Sequence, residues 1–307
     1  MIAGKLQELF LVVVLVVGCA GCRTWVDARK AGGAKVSPKT PALLCADQSD
    51  YRIRLINPFA AGDRKPALWS YPAEDEDQIK YRPRDAKRVE MDGVVYVLAA
   101  YRGRVQLVRF KDRKLVKDFS SYHSCHSAEL LPNGAIVTAN SSHGILRLHR
   151  SADDFVDLKL PYAHGVTWDK ERKCLWALGD FLYQINVAER KLTIKKKFEL
   201  PLSPTGHDLF PLRKEAKLLV SNNSALFLFD IATEKFEMVS ELTGIKSASQ
   251  HADGTIWITD PAELKGAASW QSDAVLRVRP KVPEIRYRNG GSKFYKARWW
   301  QKVNFSY

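Results

Sequence analysis

Short apolar runs rich in β-branched and aromatic residues recur along most of the chain. Five of them occupy residues 94–98, 135–138, 174–177, 217–220 and 255–258. Each follows a short polar stretch, as at Asp92-Gly93, Asn133-Gly134 and Asp253-Gly254, and each is followed within a few residues by another apolar run. Tight polar connections between such runs are typical of β-hairpins, so the pattern predicts a series of antiparallel strands.

The spacing of these runs predicts a β-propeller. Each unit consists of four antiparallel strands over roughly 40 residues, the period of a propeller blade, and helical spacing is nearly missing. Residues 43–47 match a second strand without a first strand before them, whereas residues 294–300 form a first strand without a blade after them. We expect these ends to complete one blade, giving an all-β, six-bladed ring closed by the C-terminal strand. Seven blades are the alternative, with the extra blade in 57–84 or 259–274.

The first 22 residues have the pattern of a targeting segment. Lys5 precedes the apolar run 9–17, which is too short to span a membrane as a helix but is typical of a signal-peptide core. Val16-Val17-Gly18-Cys19 is similar to a bacterial lipobox, so we expect lipidation at Cys19, with Cys22 as the alternative site. A plain secretory signal is the other interpretation, and both imply export.

The domain organisation follows from these two patterns. We expect residues 1–22 to be a lipoprotein signal peptide and lipobox, residues 23–42 a tether rich in Ala, Gly, Lys and Pro, and residues 43–307 a single propeller domain. The protein would then be lipid-anchored in the bacterial cell envelope, on the periplasmic or surface face of the outer membrane. We expect a monomer.

The charge balance favours anionic partners. The chain has 48 Lys and Arg against 34 Asp and Glu, a formal net charge of +14. Such a field attracts anions in general, so an anionic glycan or small-molecule ligand fits it. Nucleic acid is not expected, because the basic residues are scattered and export removes this partner.

Ionisable residues occupy one shared position in the repeat, where each first strand begins beside the central channel. They are Asp85, His126, His164, His207 and Lys246, and in the first blade the position falls near Tyr295, Lys296 or Arg298. Three imidazoles around one funnel are suited to a divalent metal, Zn or Mn, so His126, His164 and His207 are the predicted ligands. The alternative is that these histidines hydrogen-bond neighbouring blades and have no chemical role.

The remaining candidates surround this predicted metal site. Lys246 would bind a substrate carboxylate or act as a base, and Asp85 and Glu129 would add carboxylates, so these three are the predicted catalytic residues. Predicted substrate-binding residues lie on the closing strand or on loops above the ring: Lys296, Arg298, Tyr101, Arg102 and Trp270.

Three segments resemble a family of exported bacterial β-propellers whose activity is unassigned. They are His126-Ser127-Ala128-Glu129-Leu130-Leu131-Pro132, His207-Asp208-Leu209-Phe210-Pro211 and Tyr295-Lys296-Ala297-Arg298-Trp299. The resemblance covers most of residues 43–300 and implies the fold and export. A more distant similarity, at the level of the fold, is to propeller lyases that hold a metal with histidines from several blades, including peptidylamidoglycolate lyase and oligogalacturonate lyase.

Two classes of function remain open from the sequence. The first is a membrane-anchored, metal-dependent lyase or hydrolase acting on anionic saccharides through a His-lined central funnel. The second is a non-catalytic propeller lipoprotein that binds glycan or scaffolds the envelope. The ring of ionisable residues favours the first class, whereas the absence of a strict catalytic motif favours the second.

Overall fold

The computed structural model describes residues 36, 41–72, 81–122, 124–262, 264–279 and 286–307. The predicted signal peptide, both candidate lipidation sites and nearly all of the predicted tether lie outside these ranges. The chain divides into two units, Met1–Gly33 and Ala34–Tyr307, and every described residue belongs to the second unit. No helix long and apolar enough to span a membrane occurs in the described part of the chain.

The described residues form six antiparallel sheets of four strands each. The innermost strands are β4 (Pro83–Met91), β8 (Cys125–Leu130), β12 (Gly165–Asp169), β16 (Gly206–Pro211), β20 (Ala248–Gln250) and β24 (Phe294–Trp299). The second strands are β1 (Leu43–Asp47), β5 (Val94–Tyr101), β9 (Ile136–Asn140), β13 (Cys174–Leu178), β17 (Lys217–Asn222) and β21 (Ile256–Thr259).

The outer half of each sheet holds the third and fourth strands. The third strands are β2 (Arg52–Ile56), β6 (Arg104–Arg109), β10 (Ile145–His149), β14 (Phe181–Ala188), β18 (Leu226–Asp230) and β22 (Ala274–Arg279). The fourth strands are β3 (Ala67–Tyr71), β7 (Leu115–Ser120), β11 (Phe155–Lys159), β15 (Lys191–Glu199), β19 (Lys235–Ser240) and β23 (Arg286–Arg288). The only helical segment within the described ranges is a 3-10 turn at Ser141–His143.

The six-bladed prediction is confirmed, and so is closure by the C-terminal strand. β24 pairs antiparallel with β1, with Trp299 opposite Leu43 and Ala297 opposite Cys45. Blade 1 is therefore β24-β1-β2-β3, and blades 2 to 6 follow in chain order from β4. The seven-bladed alternative is wrong, because the described residues of both segments proposed for it contribute only to these six sheets.

One hydrophobic cluster fills each of the six interfaces between neighbouring blades. Successive residues of a strand point to opposite faces of its sheet, so β1 sends Leu44 towards blade 2 and Leu43 towards blade 6. Each blade is thus buried on both faces. This explains why the second strands have continuous apolar runs rather than alternating ones.

The turn between β4 and β5 shows how local sequence sets the strand register. Met91 pairs with Val94, which leaves Asp92 and Gly93 as a two-residue loop. Both loop residues have positive φ angles, 51° and 73°. This backbone matches a type I′ hairpin turn, where Gly costs least and Asp is tolerated. The Asp-Gly pair therefore fixes the pairing of these two strands.

The C-terminal tail after β24 covers the far end of the channel, where the first strands end. The backbone N–H of Lys170 donates to the carbonyl of Phe305 at 3.1 Å, and the backbone N–H of Asn304 donates to the carbonyl of Arg213 at 3.0 Å. Val303 and Phe305 are buried in the cluster between blades 4 and 5. The tail therefore ties several blades together and leaves the other end of the channel as the open mouth.

Candidate functional site

A cavity of ≈ 330 Å³ lies where the first strands begin, at the open mouth of the channel. All six blades or their connecting loops contribute to its wall. The lining residues are Gln48, Arg82, Arg84, His126, Ser141, Ser142, Tyr162, His164, His207, Lys246, Trp270 and Tyr295.

Three of these side chains are directed into the cavity by β-bulges, one in each of three first strands. β4, β8 and β16 each contain one extra residue relative to the neighbouring second strand, at Arg84, His126 and His207 respectively. A bulge bends the strand locally and redirects the side chain of the extra residue. The repeated bulge therefore turns the three side chains of blades 2, 3 and 5 into the cavity.

In blade 4, His164 is positioned without a bulge, by the close packing of its strand against blade 5. The N–H of His164 donates to the carbonyl of Leu178 at 2.8 Å, just before β12 begins at Gly165. A Cβ atom at Gly165 would lie 2.5 Å from the Cβ of Leu209 in blade 5. Glycine is therefore required here for the two blades to pack closely, and His164 is held beside His207.

The three histidines form a continuous row along one side of the cavity. The ring centroids of His126 and His164 are 4.4 Å apart, and those of His164 and His207 are 5.4 Å apart. Nδ1 of His126 lies 2.6 Å from the carbonyl of Ser124, and Nδ1 of His164 lies 2.7 Å from the carbonyl of Tyr162. A carbonyl only accepts, so both Nδ1 atoms carry the proton and both Nε2 atoms are acceptors.

Burial keeps all three imidazoles neutral at physiological pH. Desolvation lowers the pKa of His164 to about 3 and that of His207 to about 4, and the Lys246 ammonium adds to the effect on His207. The pKa of His126 is lowered as well, by burial first and then by His164 and Arg84. The histidine row therefore supplies hydrogen-bonding groups rather than positive charge.

Positive charge comes from three other lining residues, Arg82, Arg84 and Lys246. Arg84 contacts the Nε2 atom of His126, Lys246 Nζ lies 3.1 Å from His207 Nε2, and Arg82 donates to the Tyr51 hydroxyl at 3.2 Å. Burial lowers the pKa of Lys246 to about 8, helped by Lys296. None of the lining residues in the described part of the chain is Asp or Glu.

Two ring nitrogens of the histidine row lack a hydrogen-bond partner among the described residues, Nε2 of His164 and Nδ1 of His207. His126 Nε2 is taken by the Arg84 guanidinium, and His207 Nε2 contacts both Asn223 and Lys246. The described residues contain no group of three His, Cys, Asp or Glu arranged to hold a metal. A shared ion would require Arg84 and Lys246 to withdraw. The Zn or Mn site stays a prediction, which metal analysis of the purified protein would test.

The predicted carboxylates lie behind the cavity rather than in it. Asp85 and Asp208 are fully buried with Lys296 and Arg298, and we call these four residues the buried charge network. Arg298 bridges the two carboxylates, with Nε 2.9 Å from Asp85 Oδ1 and Nη2 2.8 Å from Asp208 Oδ1. The network crosses the channel between blades 1, 2 and 5, so it braces the ring beneath the cavity.

Glu129 has a similar structural environment. Its Oε2 atom accepts from Lys87 Nζ at 2.8 Å, and its Oε1 atom contacts the hydroxyl of Tyr307 in the tail. Burial raises the pKa of Glu129 although Lys87 opposes this effect. The carboxyl group is thus committed to contacts with blade 2 and the tail, away from the cavity.

The predicted substrate-binding residues divide into two groups. Trp270 lines the cavity with 41% of its surface exposed. Lys296 and Arg298 belong to the buried charge network, Tyr101 is buried in the cluster between blades 1 and 2, and Arg102 is exposed outside the cavity lining. The structure therefore brings Trp270, Lys246 and the three histidines together and places the other four elsewhere.

Arg84, rather than Asp85, occupies the shared position in blade 2. The bulge at Arg84 leaves Asp85 paired with Ala100, one step further along β4, where its Oδ2 atom accepts from Ser127. Sequence alignment of the repeats missed this because it places Asp85 and His126 at corresponding positions. The bulge also recurs opposite Ala46, where β24 places Tyr295 beside His126 at 5.9 Å between ring centroids.

Comparison with solved structures shows the fold. The structure of a nidogen/laminin complex matches with a TM-score of 0.60 and 11% identity, covering 87% of this chain and 100% of that chain. A functionally unknown protein from Desulfotomaculum acetoxidans matches with a TM-score of 0.56 and 12% identity, covering 87% of each chain. Virginiamycin B lyase from Staphylococcus aureus matches with a TM-score of 0.49 and 11% identity, covering 67% of this chain and 69% of that chain.

The family is shown by sequence. No curated protein matches the chain. One family model matches residues 70–307, which include five complete blades, the closing strand and every cavity-lining residue except Gln48. The chain therefore belongs to DUF6528, a family of unknown function.

Proposed function

We propose that the protein binds a carboxylated saccharide at the mouth of the central channel. The observation that carries this proposal is the charge of the cavity wall, which has three cationic side chains and, among the described residues, no carboxylate. An anion entering the cavity would neutralise cations that have no acidic partner among the residues that the structure describes. The field of the whole chain, with a formal net charge of +14, would favour its approach.

The cavity contains groups for both parts of such a ligand. Arg84 and Lys246 lie on opposite ends of the histidine row and would hold the carboxylate by charge-assisted hydrogen bonds. The exposed rings of Trp270 and Tyr162 offer apolar faces for the sugar, while the unpartnered Nε2 atom of His164 would accept from a hydroxyl. Two cations, aromatic faces and neutral imidazoles together match an acidic sugar better than inorganic phosphate.

Replacing Arg84 or Lys246 by Met should weaken binding of a hexuronate about tenfold each, because each loses one charge-assisted contact. Isothermal titration with galacturonate, glucuronate and mannuronate measures the affinities. Arg109→Met is the matched control, since Arg109 pairs with Asp112 on an exposed turn outside the cavity. If none of the uronates binds the intact protein, or if all three variants bind equally well, the proposed ligand class is wrong.

A lyase reaction is the second candidate, and it rests on the lowered pKa of Lys246. A lysine with a pKa of about 8 is partly deprotonated near neutral pH, so it is able to abstract a proton. Lys246 would take the proton from the carbon next to the carboxylate, and the bond between the adjacent carbon and the glycosidic oxygen would break as a C=C bond forms. The leaving oxygen would take a proton and become the hydroxyl of the released sugar, which leaves an unsaturated sugar behind. Lys246→Arg keeps the charge but not the base. A lyase would therefore lose turnover and keep binding in this variant, whereas a binding protein forms no unsaturated product at all.

We also propose export and lipid anchoring through Cys19, on the basis of the lipobox pattern. Cys19→Ala should move the protein from the membrane fraction to the soluble fraction, because the acylated residue is lost, and Cys22→Ala should leave it in the membrane. Fractionation and radiolabelled palmitate measure this. Labelling that persists in Cys19→Ala and disappears in Cys22→Ala would assign the lipid to Cys22 instead.

A further inference from the structure

A second cavity of ≈ 450 Å³ adjoins the first on the side of blades 1 and 6. The two cavities share three wall residues, Gln48, Arg82 and Trp270. The two cavities are therefore adjacent, with the shared residues between them. We call the one at the channel mouth the inner cavity and the other the outer cavity.

The side chain of Trp270 lies at this junction with 41% of its surface exposed. It lies on a turn in which Gln271 Oε1 accepts from the backbone N–H of Ala268 at 3.0 Å and Gln271 Nε2 donates to Gln48 Oε1 at 2.9 Å. Gln48 is fixed in turn, because its Nε2 atom donates to the carbonyl of Pro83 at 2.8 Å. Within the described residues, Trp270 has no aromatic neighbour. A pinned turn thus presents a free aromatic surface to both cavities.

The outer cavity is also suited to an anionic group. Arg82 lies over the Tyr51 ring, 5.5 Å from its centroid, and Lys293 Nζ donates to the Gly266 carbonyl at 3.3 Å. In the described part of the chain, neither cation has a carboxylate partner. The one acidic lining residue, Asp50, is neutralised by Arg54, whose Nη1 atom lies 2.5 Å from Asp50 Oδ1. The free positive charge of the inner cavity therefore continues into the outer one.

We infer that the ligand is an oligomer of acidic sugars, which binds with one unit in each cavity and with Trp270 between them. This inference rests on the proposed function and adds the length of the ligand. A cavity of ≈ 330 Å³ is at the lower end of the size range of ligand sites, so the inner cavity suits a single sugar unit. The outer cavity would accept the next unit, with its carboxylate towards Lys293 and Arg82.

Titration of the intact protein with a uronate monomer and with the corresponding trimer tests the inference. We expect the trimer to bind at least about tenfold more tightly, because it gains the contacts of the outer cavity without a second loss of translational freedom. Lys293→Ala should remove most of this gain and leave the affinity for the monomer unchanged. Lys265→Ala is the control, an exposed lysine on the same loop region that lines neither cavity.

Trp270→Ala provides a second, independent readout. Trp270 lines both cavities, so its loss should weaken binding of the monomer as well as the trimer. Equal affinities for monomer and trimer, or a trimer advantage that survives Lys293→Ala, would overturn the outer site while leaving the inner one intact. Absence of binding by every uronate would instead reject the proposed function and the inference together.

Discussion

Removal of residues 294–307 should abolish the cooperative melting transition of the protein. The deletion takes away β24, which is the innermost strand of blade 1 and pairs along β1. It also removes Lys296 and Arg298, leaving the buried carboxylates of Asp85 and Asp208 without their cations. An open ring with an unpaired strand edge is prone to edge-to-edge association, so we expect aggregation as well. Circular dichroism and light scattering during heating measure both effects.

A shorter deletion separates ring closure from the contribution of the tail. Removing only residues 303–307 leaves β24 in place, takes Val303 and Phe305 out of the cluster between blades 4 and 5, and uncovers the Glu129 carboxyl. This variant should melt cooperatively at a lower temperature than the intact protein. Closure by β24 would not be needed for folding if the longer deletion melted as cooperatively as the shorter one.

The fold was predictable from the sequence because its determinants are local and repeated. Turn pairs such as Asp92-Gly93 require positive φ angles that few residues adopt, so they mark the hairpins directly. Burial of every blade on both faces gives long apolar runs, which make the second strands visible. The unmatched strands at the two ends then allowed only one way to close the ring.

The candidate site was predictable in part, for a geometric reason. Alignment of the repeats found His126, His164, His207 and Lys246, because residues at one repeat position converge on the channel. It assigned Asp85 where Arg84 lies, since a shift of one residue along a strand moves a side chain from one environment to another. No sequence signal marks a β-bulge at this position. That one residue matters for the charge of the site, because a carboxylate in place of the Arg84 guanidinium would have paired with the cations Arg82 and Lys246 of the cavity wall.

Replacing Arg298 by Met should destabilise the folded protein by about 3–5 kcal/mol at neutral pH, because it leaves two buried carboxylates without their main partner. Arg298 donates to both carboxylates and lies over the Phe210 ring, 4.3 Å from its centroid. Met keeps much of the side-chain volume, so the loss reports charge pairing rather than packing. Chemical denaturation at a fixed temperature measures the free energy of unfolding.

The pH dependence of this effect distinguishes a charge contribution from a packing one. Burial alone would raise the pKa of Asp85 and Asp208, but Arg298 and Lys296 hold both pKa values below the ordinary one. The network therefore stabilises the intact protein above about pH 4, and this stability is lost as the pH falls through the folded pKa values. In Arg298→Met burial dominates, so the carboxyl pKa values rise and the folded state takes up protons before the unfolded state does.

The variant should consequently gain stability as the pH falls from 7 towards 4, while the intact protein does not. The difference in unfolding free energy between them is then largest at pH 7 and shrinks on acidification. Arg109→Met serves as the control. This variant loses only an exposed ion pair with Asp112, so its unfolding free energy should match that of the intact protein at each pH. If the free energy of unfolding lost in Arg298→Met stays constant between pH 7 and 4, Arg298 acts through packing. The carboxylates of the network then do not need its charge.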